Sequence, residues 1–192
     1  MDQPKIALKE WAVAIKALKE GRQTLIMRKG GIAEETKQFE VASRDFYLYP
    51  TYEHQREELI KPEYRGELAH TLTEWRPENE VVLLTAYAEV AEEFQVMDRE
   101  RLLALSDFHI WTEDFAEQRL KWKKTHPLHV LLLRIYELER PVPVRILPDY
   151  LGCKSWIRLA ESFDKPPMHP VLDDNTFSAI RQKLHAALGQ RV

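Results

Sequence analysis

The stretch Gly21-Arg22-Gln23-Thr24-Leu25-Ile26-Met27-Arg28 decides how the rest of the chain is read. Thr24 to Arg28 is a short, mostly apolar run ended by Gly30 and Gly31, the pattern of a buried strand feeding a turn that needs unusual backbone angles. Upstream, Leu8, Trp11, Ile15 and Leu18 recur at helical spacing, and Gly21 stands where such a helix would stop. The expectation is an amphipathic helix from Ile6 to Leu18. The same letters allow a rival in which Trp11, Val13, Ile15 and Ala17 alternate along a strand that turns at Gly21 into a hairpin.

Downstream, Phe39 to Val41 and Asp45 to Thr51 read as two more strands, the second rich in aromatics and closed by Pro50. A polar helix is expected near Glu53, interrupted by Pro62, and Tyr64 to Glu80 shows no clean period. Val81 to Val96 is β-branched and alternating, the signature of one long or bent strand. Asp98 to Leu105 reads as a helix, and Thr112-Glu113-Asp114 opens another that runs to about Lys124 before Pro127. His129 to Leu138, apolar on both faces in its first half, reads as a central strand. Pro141, Pro143 and Pro148 then set an extended connection. Residues 164–192 read as a proline-rich linker and a final helix capped by Asp174 or Asn175, with Phe177, Ile180 and Leu184 on one face. The expected organisation is one domain over residues 1–163 followed by that tail.

A chain of 192 residues with 44% apolar and 31% charged residues can bury one sizeable core. It shows no leader-like start and no apolar run of membrane-spanning length, so the expected location is the cytoplasm, with no membrane contact. Cys153 is the only cysteine, which rules out an internal disulfide and leaves no thiolate set for a metal. The net charge of −3 argues against a polybasic coat. Nucleic-acid contact would have to come from a local patch such as Arg22, Arg28 and Lys29.

The order of helix, glycine, strand ending in arginine, long strand, two helices, and a strand running into proline resembles the PUA-like β-barrels, and within them the ASCH domains. The likeness lies in Gly21 to Arg28 and in Leu133-Arg134-Ile135-Tyr136-Glu137-Leu138-Glu139-Arg140-Pro141. It implies an α+β fold, a PUA-like, ASCH-like mixed β-barrel with flanking helices and a helical C-terminal tail. ASCH domains that hydrolyse amides of modified nucleosides carry a lysine, a threonine and a glutamate where this chain has Gln23, Thr24 and Ile26. Glutamine supplies no amine and isoleucine moves no proton, so the resemblance argues for the fold and against that reaction. Up to about Phe163 the chain more closely resembles a bacterial domain-of-unknown-function family, number 1802. The residues are Leu8-Lys9-Glu10-Trp11-Ala12, Arg28-Lys29-Gly30-Gly31-Ile32, Tyr47 to Gln55, His126-Pro127-Leu128-His129 and Leu151 to Trp156. That likeness implies no activity, although an association of some members with restriction-type nuclease modules would suit a domain that inspects nucleic acid.

Arg28, Lys29, Gly30 and Gly31 combine two cations with two residues that let backbone amides approach an anion, a phosphate cradle at a strand end. A glycine turn flanked by solvated charges gives the same letters. Tyr47, Tyr49, Tyr52 and His54 offer ring faces for a base, with Tyr47 and Tyr49 on one side of a strand, where core packing is the competing explanation. His126 and His129 lack neighbouring ligands at metal spacing, Glu35 and Lys37 sit in a polar loop, and Cys153 has no placed base. Arg119, Lys121, Lys123 and Lys124 with Trp122 make a basic helix end that complements the helix dipole. The sequence therefore supports binding of a nucleotide or modified base in nucleic acid through Arg28, Lys29, Gly30, Gly31, Tyr47, Tyr49, Tyr52 and His54, with no cofactor, no metal and no catalysis. Two alternatives stand beside it. One is a nucleoside-directed hydrolase using Glu53 and His54; the other is a protein-interaction module whose tail helix docks a nuclease partner.

Overall fold

The computed structural model describes residues 5–29, 41–73, 75–122, 126–152 and 154–189. Seven strands form one mixed sheet: β1 (Ile6–Trp11), β2 (Leu25–Arg28), β3 (Asp45–Thr51), β4 (Val81–Val96), β5 (Leu128–Arg145), β6 (Trp156–Arg158) and β7 (Met168–Pro170). Their order is β2-β5-β4-β3-β1-β6, with β7 paired to β5. The pair β1 and β3 is parallel, with Trp11 opposite Thr51 at its C-terminal end, and every other pair is antiparallel. Among the described residues five α-helices accompany the sheet: α1 (Ala12–Lys19), α2 (Arg65–Thr73), α3 (Arg99–Leu103), α4 (Glu113–Lys121) and α5 (Asp174–Ala187).

The fold is α+β, and β2 and β5 share the one sheet, as the opening stretch implied. The expected closed barrel is not formed: among the described residues β2 and β6 remain edges and do not pair with each other. Lys29, just past β2, ties that end to α4 through a hydrogen bond from its ammonium to the Leu120 carbonyl. A helix thus stands beside β2 where a closing strand would be.

The helix expected over Ile6 to Leu18 is half wrong. Ile6–Trp11 is a strand, since both its flanks are taken by β3 and β6, and the helix begins at Ala12. The rival hairpin is absent as well. Gly21 does end α1, at φ +68, and a Cβ there would meet Leu172 Cδ2 at 2.8 Å, so both conformation and space require glycine. Glu53 opens a turn rather than a helix, and the helix of that region is α2, over residues that showed no period because only Leu68 and Thr71 of it are buried. The expected strand at Phe39 to Val41 falls largely outside the described residues.

Pro141 and Pro143 lie inside β5, not in a connection after it. β2 and β7 flank β5 only as far as Leu138, so at these prolines the far side of the strand carries no partner strand and no ladder bond is lost. Caps hold the helix starts: Asp98 accepts from Arg101 N at 2.8 Å, Thr112 from Phe115 N at 3.3 Å, and Asp173, one residue before the expected cap, from Thr176 N at 2.8 Å.

Alternation along the strands divides the core. Phe46 and Leu48 of β3 join Leu8, Ile26, Ala88 and Leu133, whereas Tyr47 and Tyr49 join Tyr87, Leu138 and Tyr150 on the opposite face. A third cluster gathers Leu25 and Met27 with α1, α3 and α4, and it includes Leu184 and Leu188 from the C-terminal segment. The segment after Phe163 thus contributes both a strand and a core-packed helix. Among the described residues no helix is long and apolar enough to cross a membrane.

Candidate functional site

The parallel strands β1 and β3 end side by side, and a cleft of about 370 Å³ opens at their C-terminal ends. Crevices beyond the carboxyl ends of parallel strands are favoured ligand sites in open α/β sheets, because flanking loops diverge there. Lys9, Glu10 and Trp11 come from β1, Thr51, Glu53 and His54 from β3 and its following turn, and Arg28 and Lys29 from β2. Arg119 and Trp122 come from the end of α4, and Gly152, Lys154 and Ser155 from the segment before β6. Five cations thus meet two carboxylates.

These cations are not equivalent. Arg28 Nη2 donates to Glu10 Oε2 at 2.9 Å and to the Lys9 carbonyl, while Glu10 Oε1 accepts from Trp11 N at 2.8 Å. The ion pair is buried, with side-chain exposures of 12% and 10%. Lys29 is likewise buried and spends its ammonium on the Leu120 carbonyl at the end of α4; burial pushes its pKa down. Arg119 differs from both. Its guanidinium lies 5.0 Å above the Phe115 ring, and no described carboxylate forms an ion pair with it. Burial first, and then the Arg28 charge, press its pKa down, with Glu10 acting in the opposite direction. Lys154 is exposed at the rim. His54 sits beside it in the left-handed region at φ 60, a conformation histidine tolerates better than most residues, on an exposed turn with Glu53.

A second cleft of about 310 Å³ shares the wall of Lys9, Thr51, Glu53 and Gly152 with the first and continues past Tyr49, Tyr52, Trp75, Val82, Ile146, Tyr150 and Leu151. Lys9 Nζ donates to the carbonyls of Tyr150 at 2.7 Å and Gly152 at 2.8 Å, which fixes the partition. Tyr52 and Trp75 stack at 4.5 Å between ring centroids and 3° between planes.

The structure therefore sorts the expected site residues. Arg28, Lys29 and His54 share the first cleft, and Tyr49 and Tyr52 line the second. Gly30 and Gly31 lie outside the described residues, as do Glu35, Lys37 and Cys153. Tyr47 and Tyr49 point the same way, as read, but into the core. They are 3% and 4% exposed and pack edge-on against Tyr87 and Phe163, and against Tyr150. Burial raises both phenols to about 12, Asp45 adding to the effect at Tyr47 and Tyr150 and Glu161 at Tyr49. Their ring faces are thus spent on packing. His129 Nδ1 meets Glu93 Oε1 at 2.6 Å, and among the described residues no three His, Cys, Asp or Glu side chains gather at metal-binding distance. On α5, Leu184 is fully buried and Phe177 packs against the same core, while Ile180 on that face stays half-buried.

Lys9, Arg119, Lys154 and Trp75 were missed as site residues. Arg119 carried a signal, the basic end of α4, which the dipole account absorbed. Lys9 and Lys154 carried only the family likeness of Leu8 to Ala12 and Leu151 to Trp156, and Trp75 carried none, since a long-range fold brings the three together.

No curated protein matches the chain. Among solved structures it is similar to the ASCH protein of Zymomonas mobilis, at 15% identity and a TM-score of 0.48, over 83% of this chain and 90% of that chain. A single-site variant of that protein gives 13% identity and a TM-score of 0.47, over 83% and 91%. Residues 7–183 match the family described as Domain of unknown function (DUF1802), and the chain belongs to that family.

Proposed function

We propose that this chain binds a nucleotide or a modified base in nucleic acid, holds its phosphate in the cleft beyond β1 and β3, and carries out no reaction on it. The observation that carries the reading is Arg119, a half-buried guanidinium facing the cleft with no described carboxylate paired to it. A half-buried cation with no described ion-pair partner is poised for an external anion, and the planar fork of arginine suits phosphate. Lys154 and His54 at the rim add attraction, while Arg28 and Lys29 act from behind the wall. The overall charge of −3 confines this attraction to one place and favours a specific ligand over a general polyanion.

The order of elements around Gly21 and Pro141 supports reading the curled sheet as a PUA-like fold left open between β2 and β6. The hydrolase alternative finds less support. Glu53 and His54 are adjacent but exposed on one turn, whereas the enclosed carboxylate, Glu10, is neutralised by Arg28. The test is fluorescence anisotropy with a short labelled single-stranded oligonucleotide. Arg119→Ala is expected to weaken binding by about ten- to a hundredfold, the loss of a charge-assisted contact. An unchanged affinity removes the phosphate reading.

A further inference from the structure

The geometry points to the second cleft as the base pocket of the same site, so that the ligand straddles Lys9 with its phosphate on the Arg119 side and its base on the Trp75 side. This rests on the phosphate reading above and names what that reading leaves open, the chemical class of the group attached to the phosphate. The two clefts are chemically unlike. The first gathers charge, whereas the second, of about 310 Å³, is walled by the rings of Tyr52, Trp75 and Tyr150 with Val82, Ile146 and Leu151. Its only described charged side chains are Lys9 and Glu53 of the shared wall, and a flat, weakly polar group matches the rings beyond them.

The Tyr52 and Trp75 rings are parallel to within 3° and already stacked, with centroids 4.5 Å apart, so nothing inserts between them. They form one preassembled platform, and a base adds to its outer surface without any rearrangement. Tyr49 takes a role different from stacking. Its ring is locked edge-on against Tyr150 with centroids 5.9 Å apart, yet it lines the cleft, and no described residue hydrogen-bonds its hydroxyl. Like any phenol it is protonated at neutral pH and can donate a hydrogen bond. From the lining of the cleft it can donate to an acceptor on the edge of a base. The partition between the clefts is rigid because the Lys9 ammonium is held by two backbone carbonyls, so the spacing of phosphate and base is set before the ligand arrives.

Isothermal titration calorimetry with the full chain separates the two claims. The probes are the four nucleoside 5′-monophosphates and ribose 5-phosphate, titrated into the parent, Tyr49→Phe and Trp75→Leu. At least one nucleotide is expected to bind the parent about five- to a hundredfold more tightly than ribose 5-phosphate, the range for one stacked base. Trp75→Leu is expected to abolish that advantage, and Tyr49→Phe, which deletes a single oxygen and keeps the ring packing, to reduce it. Ribose 5-phosphate should bind all three proteins alike. If the nucleotides bind no better than ribose 5-phosphate, or if Tyr49→Phe and Trp75→Leu both leave the advantage intact, the base pocket is wrong while the phosphate reading stands. If neither nucleotide nor sugar phosphate binds at millimolar concentration, the phosphate reading fails and the base pocket falls with it.

Discussion

The Arg28 guanidinium lies 2.9 Å from the Glu10 carboxylate, and both side chains are nearly closed to solvent. Arg28 is thereby a structural cation first, joining β2 to β1. Removing one partner of a buried pair strands the other charge, at a cost of about 3 to 5 kcal/mol, whereas replacing both with apolar groups of similar volume is often neutral. Arg28→Ala is therefore expected to lower the urea midpoint sharply, and the double replacement Arg28→Met with Glu10→Met to restore most of the loss. Equal, additive losses in the two single variants and the double would show that the pair is not coupled. Any fall in ligand affinity on Arg28→Ala has to be read against this loss of stability.

Stability should fail at alkaline pH in a defined window. Tyr47 and Tyr49 have phenol pKa values raised by burial from 10.0 to about 12, so the folded state holds these protons where the unfolded chain releases them. The stabilisation is whole below about pH 10 and is lost as pH rises to and through 12, at about 1.4 kcal/mol per pH unit per tyrosine. Urea titrations across that range should show the decline, and Tyr49→Phe should remove one tyrosine's share of it, since Tyr87, Tyr136 and Tyr150, also pushed up by burial, still contribute. A flat profile would mean that the two phenols are solvated.

The tail helix should behave as core. Leu184 is fully buried among residues of α1, β4 and α3, so Leu184→Ala is expected to cost about 2 to 5 kcal/mol. A loss below about 0.5 kcal/mol, the range of surface substitutions, would mean that α5 detaches readily and that its apolar face is free for a partner.

How legible all this was depended on the range of the interactions. β4, β3, α3, α4 and α5 were readable because alternation, helical period and caps are local signals. Ile6–Trp11 was misread because Lys9 and Glu10 interrupt its apolar alternation, so that Leu8, Trp11, Ile15 and Leu18 fall at helical spacing across the strand-to-helix boundary at Ala12. The closed barrel expected from element order depends on whether β2 meets β6, which no local pattern encodes. At the site, Arg28 and Lys29 were found as residue types, but their cationic ends were already occupied by Glu10 and the Leu120 carbonyl. Arg119, with which no described carboxylate forms an ion pair, lies ninety-one residues beyond Arg28 in sequence and comes near it only on folding. Tyr47 and Tyr49 were assigned to the correct common face, but that face belongs to the core.

The salt dependence of oligonucleotide binding tests the central claim most directly. Each phosphate contact on a single strand contributes about 0.7 to the slope of log affinity against log salt, because a bound cation releases condensed counterions. Comparing the parent with Arg119→Ala across a salt series, under conditions where circular dichroism shows both to be folded, the account predicts a slope flatter by about 0.7 in the variant, together with weaker binding at every salt concentration. Parallel lines for the two proteins, or a parent that fails to bind any single strand or nucleotide at millimolar concentration, would contradict it.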